Sequence, residues 1–269
     1  MRVALGLCFR GARYLGWQSQ PGGRTVQDAL EAALSRFAGH AVRTVCAGRT
    51  DTGVHGINQV VHLDTPLVRE PFSWVRGTNT YLPPDIAVQW CRTVPDDFHA
   101  RNAARGRRYA YVLLESPVRP ALEAGQCGWV FRPLDADAMR AAAAVLIGEH
   151  DFTSFRSSEC QAASPVKTLR EITVARHGAY WRFDFEGSAF LHHMIRNIMG
   201  CLLAVGTGVR SPDWMQTVLQ ARDRRVAAPT FAPDGLYFLG PRYDAELGLP
   251  TDVPALQWLP GAGHPEGRR

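Results

Sequence analysis

The stretch GRTDTGVHG, residues 48–56, sets one carboxylate (Asp51), one guanidinium (Arg49) and one imidazole (His55) among three glycines. A loop carboxylate can act as a nucleophile or as a general base. Glycine admits positive φ and lets a ligand approach the backbone closely. Loops held by a rigid scaffold often carry function. The same nine residues also fit a tight hairpin in which Asp51 caps its own backbone. Asp51 and His55 stand at i, i+4, a spacing that metal ligands use on helices. The glycines oppose a helix there, and no further His/Asp cluster completes a set, so no metal is expected.

Two other groups have chemistry to offer. His192, Arg196 and Gly200 recur at four-residue steps, on a stripe distinct from apolar Leu191, Met194, Ile195, Ile198 and Leu202. On pattern alone a solvated helix face accounts for that stripe. Tyr109 shares one face of a strand with Arg107, Tyr111 and Leu113. A core tyrosine accounts for it by itself.

Periodicity defines the elements that must position these groups. Residues 3–9 read as a strand. Thr25, with Asp28 three positions on, resembles a capping box and opens a helix over residues 26–37. Strands follow at 44–47 and 57–63, a helix at 71–81 and a strand at 85–93, with the GRTDTGVHG loop between the two middle strands. The second half repeats the order. A strand spans 107–114 and an alanine-rich helix 135–147. Strands at 169–176 and 180–186 are joined at His177-Gly178-Ala179, a hairpin signal. A helix spans 190–205, a shorter one lies near 212–219, and a strand closes at 235–239. Two β-α-β-β-α-β units point to an α+β fold of two ferredoxin-like halves, residues 1–104 and 105–248, without any sequence repeat. Residues 94–106 form the connection, and residues 249–269 a Pro/Gly-rich tail. In residues 180–186, Trp181, Phe183 and Phe185 point one way and Arg182, Asp184 and Glu186 the other. With helices outside, the two antiparallel sheets can form a central basic cleft for RNA.

Bulk properties narrow the class. The chain has 269 residues, 46% hydrophobic, enough for one large domain or two small ones. The longest apolar run, residues 198–205, is far short of the roughly 18 residues that span a bilayer. The N-terminus reads as a strand, not a signal peptide. No two of the six cysteines lie closer than 33 positions. That excludes a zinc-ribbon spacing and points to a reducing cytoplasm. The net charge of +5 favours an anionic partner such as RNA. Only Lys167 among the 30 basic residues is a lysine.

GRTDTGVHG closely resembles the GRTDAGVHA-type signature of the tRNA pseudouridine synthase A (TruA) family. Tyr14-Leu15-Gly16-Trp17-Gln18 looks like that family's Y-x-GWQ segment. Asp97-Phe98-His99-Ala100-Arg101, Arg107-Arg108-Tyr109, the run GEHDFTSF at 148–155 and the run FLHHMIRN at 190–197 continue the likeness in order. Thr52 stands where the family usually has Ala. The resemblance implies two ferredoxin-like halves, a homodimer, no cofactor, and isomerisation of uridine to pseudouridine at positions 38, 39 and 40 of the tRNA anticodon stem-loop. It implies Asp51 as the catalytic carboxylate and Arg196 as its partner, with Tyr109 as a stacking platform for the base. Arg49 becomes a wedge or phosphate contact, and Arg10, Arg13 and Arg24 contacts to the tRNA backbone. Whether Asp51 attacks ribose C1′, adds to the uracil ring or removes a ribose proton stays open. The rival readings are a non-catalytic ferredoxin-like RNA-binding protein and a nucleoside-cleaving hydrolase.

Overall fold

The structure, a computed structural model, describes residues 1–250. The expected Pro/Gly-rich tail lies outside the described residues from residue 251 on. Among these residues, ten strands, mostly antiparallel, and five α-helices make a mixed α+β fold. Two compact units divide the chain. The first comprises Met1–Tyr109, Glu186–Phe190 and the chain from Leu236 on; the second comprises Ala110–Phe185 and Leu191–Gly235.

The first unit begins β1 (Arg2–Phe9), α1 (Val26–Ala38), β2 (Val45–Cys46), β3 (His55–Asp64), α2 (Pro71–Asn79) and β4 (Ile86–Val94). Strand β1 pairs antiparallel with both β3 and β4. On its other side β3 meets short β2 antiparallel at Val61 and His62, and the last strand, β10 (Leu236–Arg242), parallel at His55 and Gly56. The capping box forms: the Thr25 hydroxyl accepts from the Asp28 amide and donates to the Asp28 carboxylate. It satisfies one of the four orphan amides of a helix start. Leu30 and Leu34 of α1 and Trp74 of α2 join Val3, Leu5, Leu7, Val61 and Leu63 in one buried cluster. Each such aliphatic side chain contributes about 1.5–3 kcal/mol.

The opposite face of this sheet is not open. Ala4, Val60 and Val94 pack with Phe98, Ala100 and Leu249 in a second cluster. Strand β3 is therefore buried from His55 to Leu63 on both faces. Irregular chain, not helix, provides that cover.

The second unit carries most of β5 (Gly106–Glu115), then β6 (Gly128–Val130), α3 (Ala136–Ala144), β7 (Gly148–Asp151), β8 (Val166–His177), β9 (Tyr180–Gly187), α4 (Met194–Gly206) and α5 (Trp214–Ala221). The expected alternation in β9 holds: Trp181, Phe183 and Phe185 are buried while Arg182 and Asp184 pair on the other face. Helix α3 packs on α4, α5 and β8. A Cβ on Gly206 of α4 would stand 2.7 Å from the Met139 sulfur of α3, so a larger residue there would push the Met139 side chain aside. Strands β6 and β7 have no expected counterpart. Both are short, and β7 falls in the GEHDFTSF motif, where charge hides the strand pattern.

Helix α4 begins at Met194, four residues later than its periodicity suggests. His193 adopts φ 60° and Met194 N donates to Leu191 O, so the preceding residues form a turn. His192 consequently stands before the helix, and the His192–Arg196–Gly200 stripe starts only at Arg196. All six cysteines are free thiols. Among the described residues no helix is long and apolar enough to cross a membrane.

Candidate active site

The GRTDTGVHG loop joins β2 to β3, and its backbone is held at every turn. At its start, buried Gln59 donates to Gly48 O (2.5 Å) and its side-chain oxygen faces the Gly48 amide. Two residues on, Thr50 O accepts from Trp17 N at 3.0 Å. Asp51 O accepts from Val54 N, closing a turn in which Gly53 takes φ +83°. At its end the Gly11 amide donates to His55 Nδ1 at 3.1 Å.

This clamp requires missing side chains. A Cβ on Gly16, itself at φ +85°, would stand 2.7 Å from Thr50 O, and one on Gly11 would collide with Val54 O. The Tyr14–Gln18 motif is thus a support for the loop. The Tyr14 hydroxyl fixes it to Asp85 at 2.6 Å, and fully buried Trp17 packs on Phe9. His55 is buried, accepts from Gly11, and stacks on Tyr237 with ring centroids 4.6 Å apart. These contacts give it a structural role in the loop.

What the clamp leaves outward is the chemistry. Asp51 is half-buried, while Arg49 and Thr52 are exposed. Arg10, Arg13 and Arg24 are exposed as well, in the segment that supports the loop. Arg24 holds φ 66°, and its carbonyl accepts from Leu15 N.

Tyr109 belongs to the same unit as Asp51. Its ring meets Phe238 at 4.9 Å and Phe190 edge-on at 5.2 Å. Phe238 in turn lies 3.4 Å from where a Gly48 Cβ would be. Burial first, and then the negative charge of Asp51, push the Tyr109 phenol well above its ordinary range, so it stays neutral. The residue is only 8% exposed. Arg107, two residues before it, is a half-buried anchor that donates to the carbonyls of Ala47, Arg101 and Ser188.

Arg196 lies in the second unit, and its stripe of α4 is not a solvated face. Residues 228–231 cross it as a strap. The Phe231 amide donates to Arg196 O at 3.1 Å, and Arg196 Nε donates to Phe231 O at 2.8 Å. A Cβ on Gly200 would collide with Pro229 O. The strap is itself tied down. Thr230 donates to Asn197 Oδ1 at 2.7 Å, and Arg224 reaches both. The Tyr111 hydroxyl donates to Ala232 O at 2.8 Å. A guanidinium held through Nε has a fixed plane. Gln59, Gly11, Asn197 and the strap escape a reading by residue chemistry, because their partners lie far apart in sequence.

A family model described as tRNA pseudouridine synthase matches residues 8–101 and 142–244, a span that includes Asp51 and Arg196. A protein of Methylibium petroleiphilum named tRNA pseudouridine synthase A is 75% identical over 260 residues, covering 97% of this chain and all of that one. Proteins of the same name from Paracidovorax citrulli and Delftia acidovorans are 66% and 64% identical, at the same coverage. A chain of a solved Cbf5-Nop10-Gar1 complex aligns with a TM-score of 0.36 at 14% identity, over 84% of this chain and 60% of that one, too distant to bear on the fold. Identity of this order over 97% of the chain, with a family model matching most of it, leaves one assignment: the chain belongs to the tRNA pseudouridine synthase family.

Proposed function

We propose that this isomerase converts uridine to pseudouridine at positions 38, 39 and 40 of the tRNA anticodon stem-loop, with Asp51 as its catalytic carboxylate. The observation that carries the reading is the placement of Asp51. It sits on a loop whose backbone is clamped by Gln59, Trp17 and Gly11, and its charge acts on the buried Tyr109 phenol.

The reaction breaks the bond from uracil N1 to ribose C1′, turns the base, and joins C5 to C1′, releasing the C5 proton. A stem uridine must first leave its stack, at roughly a few kcal/mol. Arg49, exposed beside the carboxylate, is proposed to fill or prop the vacated stack. Tyr109 is proposed as the surface on which the base turns, since stacking, worth about 1–3 kcal/mol, does not depend on the base's orientation. Arg196 is proposed as the partner that keeps Asp51 ionised and aligned; the motif it occupies and its strap-fixed Nε support the role. Arg10, Arg13 and Arg24 are proposed contacts to tRNA phosphates.

Two ferredoxin-like halves, over residues 1–104 and 105–248 and framing an RNA cleft, are part of the same proposal. The β-α-β-β-α-β order of the first unit supports it. So are a homodimer, independence of cofactors, and work in the cytoplasm, for which six free thiols speak.

The test uses an unmodified tRNA transcript with uridines at 38–40, tritiated at uracil C5. Release by the wild-type protein and not by Asp51→Asn, with pseudouridine mapped to the anticodon arm, is the expected result. Tight binding without release would favour a non-catalytic RNA-binding protein, and free uracil as product a hydrolase.

A further inference from the structure

The second unit carries a cleft of about 570 Å³, lined in part by Arg224 and Thr230, which also tie down the strap over Arg196. Arg156, Arg222 and Arg224 line it with Ser157, Ser158 and Asp223. Three cations against one carboxylate leave a local excess of positive charge. That carboxylate is already matched, because Arg225 grips Asp223 through Nε and Nη2 at 2.7–3.0 Å.

The arginines are held in place by neutral acceptors. Arg156 Nη2 donates to the carbonyls of Cys160 (2.6 Å) and Ala162 (2.9 Å). Arg224 donates to Ala227 O, Asn197 Oδ1 and Thr230 Oγ1. These bonds fix geometry without cancelling charge. Arg222 has only a loose ion pair with Asp151, at 3.6 Å, and its side chain is 69% exposed. Preset guanidinium forks beside serine hydroxyls suit the oxygens of a phosphate.

Backbone strain points to the same place. Three non-glycine residues among those described have positive φ, and two of them, His193 (60°) and Arg222 (48°), line this cleft. Arg222 caps the C-terminus of α5 in the left-handed conformation, a position where glycine costs nothing and is the common choice. Two side chains held in a conformation that glycine would adopt more cheaply, in one cleft, draw attention to what those side chains face there.

We propose that this cleft seats a phosphodiester of the RNA substrate's backbone, with Arg222 as the contact at its mouth. The proposal rests on the tRNA reading above. The test measures equilibrium binding of an unmodified tRNA transcript to the full chain across a series of KCl concentrations, for wild type, Arg222→Gly and Arg222→Lys. Glycine accepts φ 48° without strain, so Arg222→Gly removes the charge without endangering the fold, which a thermal melt verifies. Arg222→Gly is expected to bind about five- to tenfold more weakly, with the slope of log K against log [salt] shallower by about 0.9. Arg222→Lys is expected to stay near wild type. Unchanged affinity and slope in Arg222→Gly would overturn the proposal and leave the tRNA reading intact. Inorganic phosphate, added in the melt, is the second arm. If it stabilises wild type but not Arg222→Gly while tRNA binding is unchanged, the cleft serves a free phosphate compound and the RNA assignment falls. Failure of the wild type to bind tRNA would overturn the functional reading and this proposal with it.

Discussion

The loop around Asp51 and the cleft around Arg222 solve opposite problems with the same backbone conformation. Near Asp51, positive φ falls on Gly16 and Gly53, and in the segment that supports the loop also on Arg24. In the cleft it is assigned to His193 and Arg222. At Gly16 the side chain must be missing, because Thr50 O occupies the space a Cβ would need. At Arg222 the left-handed conformation costs a side chain roughly 1–2 kcal/mol, and the phosphate contact proposed above would account for keeping one there. Positive φ by itself therefore says little. The neighbour that a Cβ would meet decides whether the position serves packing or binding.

The largest effect expected is chemical and tests which region is catalytic. Asp51→Asn should lower tritium release about 10²–10⁴-fold or more while tRNA affinity stays near wild type. Substantial turnover would move the chemistry elsewhere. Gly16→Ala comes next. It combines positive φ with a 2.7 Å contact to Thr50 O, so it should lose about 1–3 kcal/mol in urea unfolding and much of the activity. Gly22→Ala is its control, since Gly22 has φ +93° but nothing within 4 Å of an added Cβ. It should cost only about 1 kcal/mol and leave tritium release unchanged. Equal losses for the two variants would refute the clamp.

Tyr109 sharpens the comparison from the aromatic side. Tyr109→Leu removes a ring packed by Phe190 and Phe238, and should lose about 2–4 kcal/mol of stability and most activity. Tyr109→Phe keeps the ring and should retain activity. Similar activity in both variants, measured by tritium release, would argue against a stacking surface. The smallest effect belongs to the cleft. Arg222→Gly should raise stability by about 1 kcal/mol, or roughly 2–4 °C in the melt. A lower melting temperature would show that its guanidinium serves the fold.

Much of this was legible in one dimension. The Thr25–Asp28 capping box, the apolar face of α1 and the alternation of β9 are encoded by neighbours three, four or two residues apart. Such periodicities survive any tertiary context that buries one face. The reactive residue types of GRTDTGVHG stand in the sequence, but the expected roles of Asp51 and Arg196 come from the family resemblance and not from periodicity, which by itself favours a solvated face at Arg196. The start of α4 was not legible. The apolar pattern runs back through Leu191, and only the left-handed turn at His193 ends it.

Most of the elements, the buried faces of α1 and β9 and the reactive residue types follow from sequence pattern, while β6, β7 and the start of α4 do not. Tertiary structure alone decided that Gly11, Gly16 and Trp17 clamp the Asp51 loop, that a strap at residues 228–231 orients Arg196, and that three arginines meet in one cleft. The reason is physical. Periodicity records contacts within an element. These sites depend on backbone amides, carbonyls and missing Cβ atoms, groups that look alike at every residue until the fold brings two of them together.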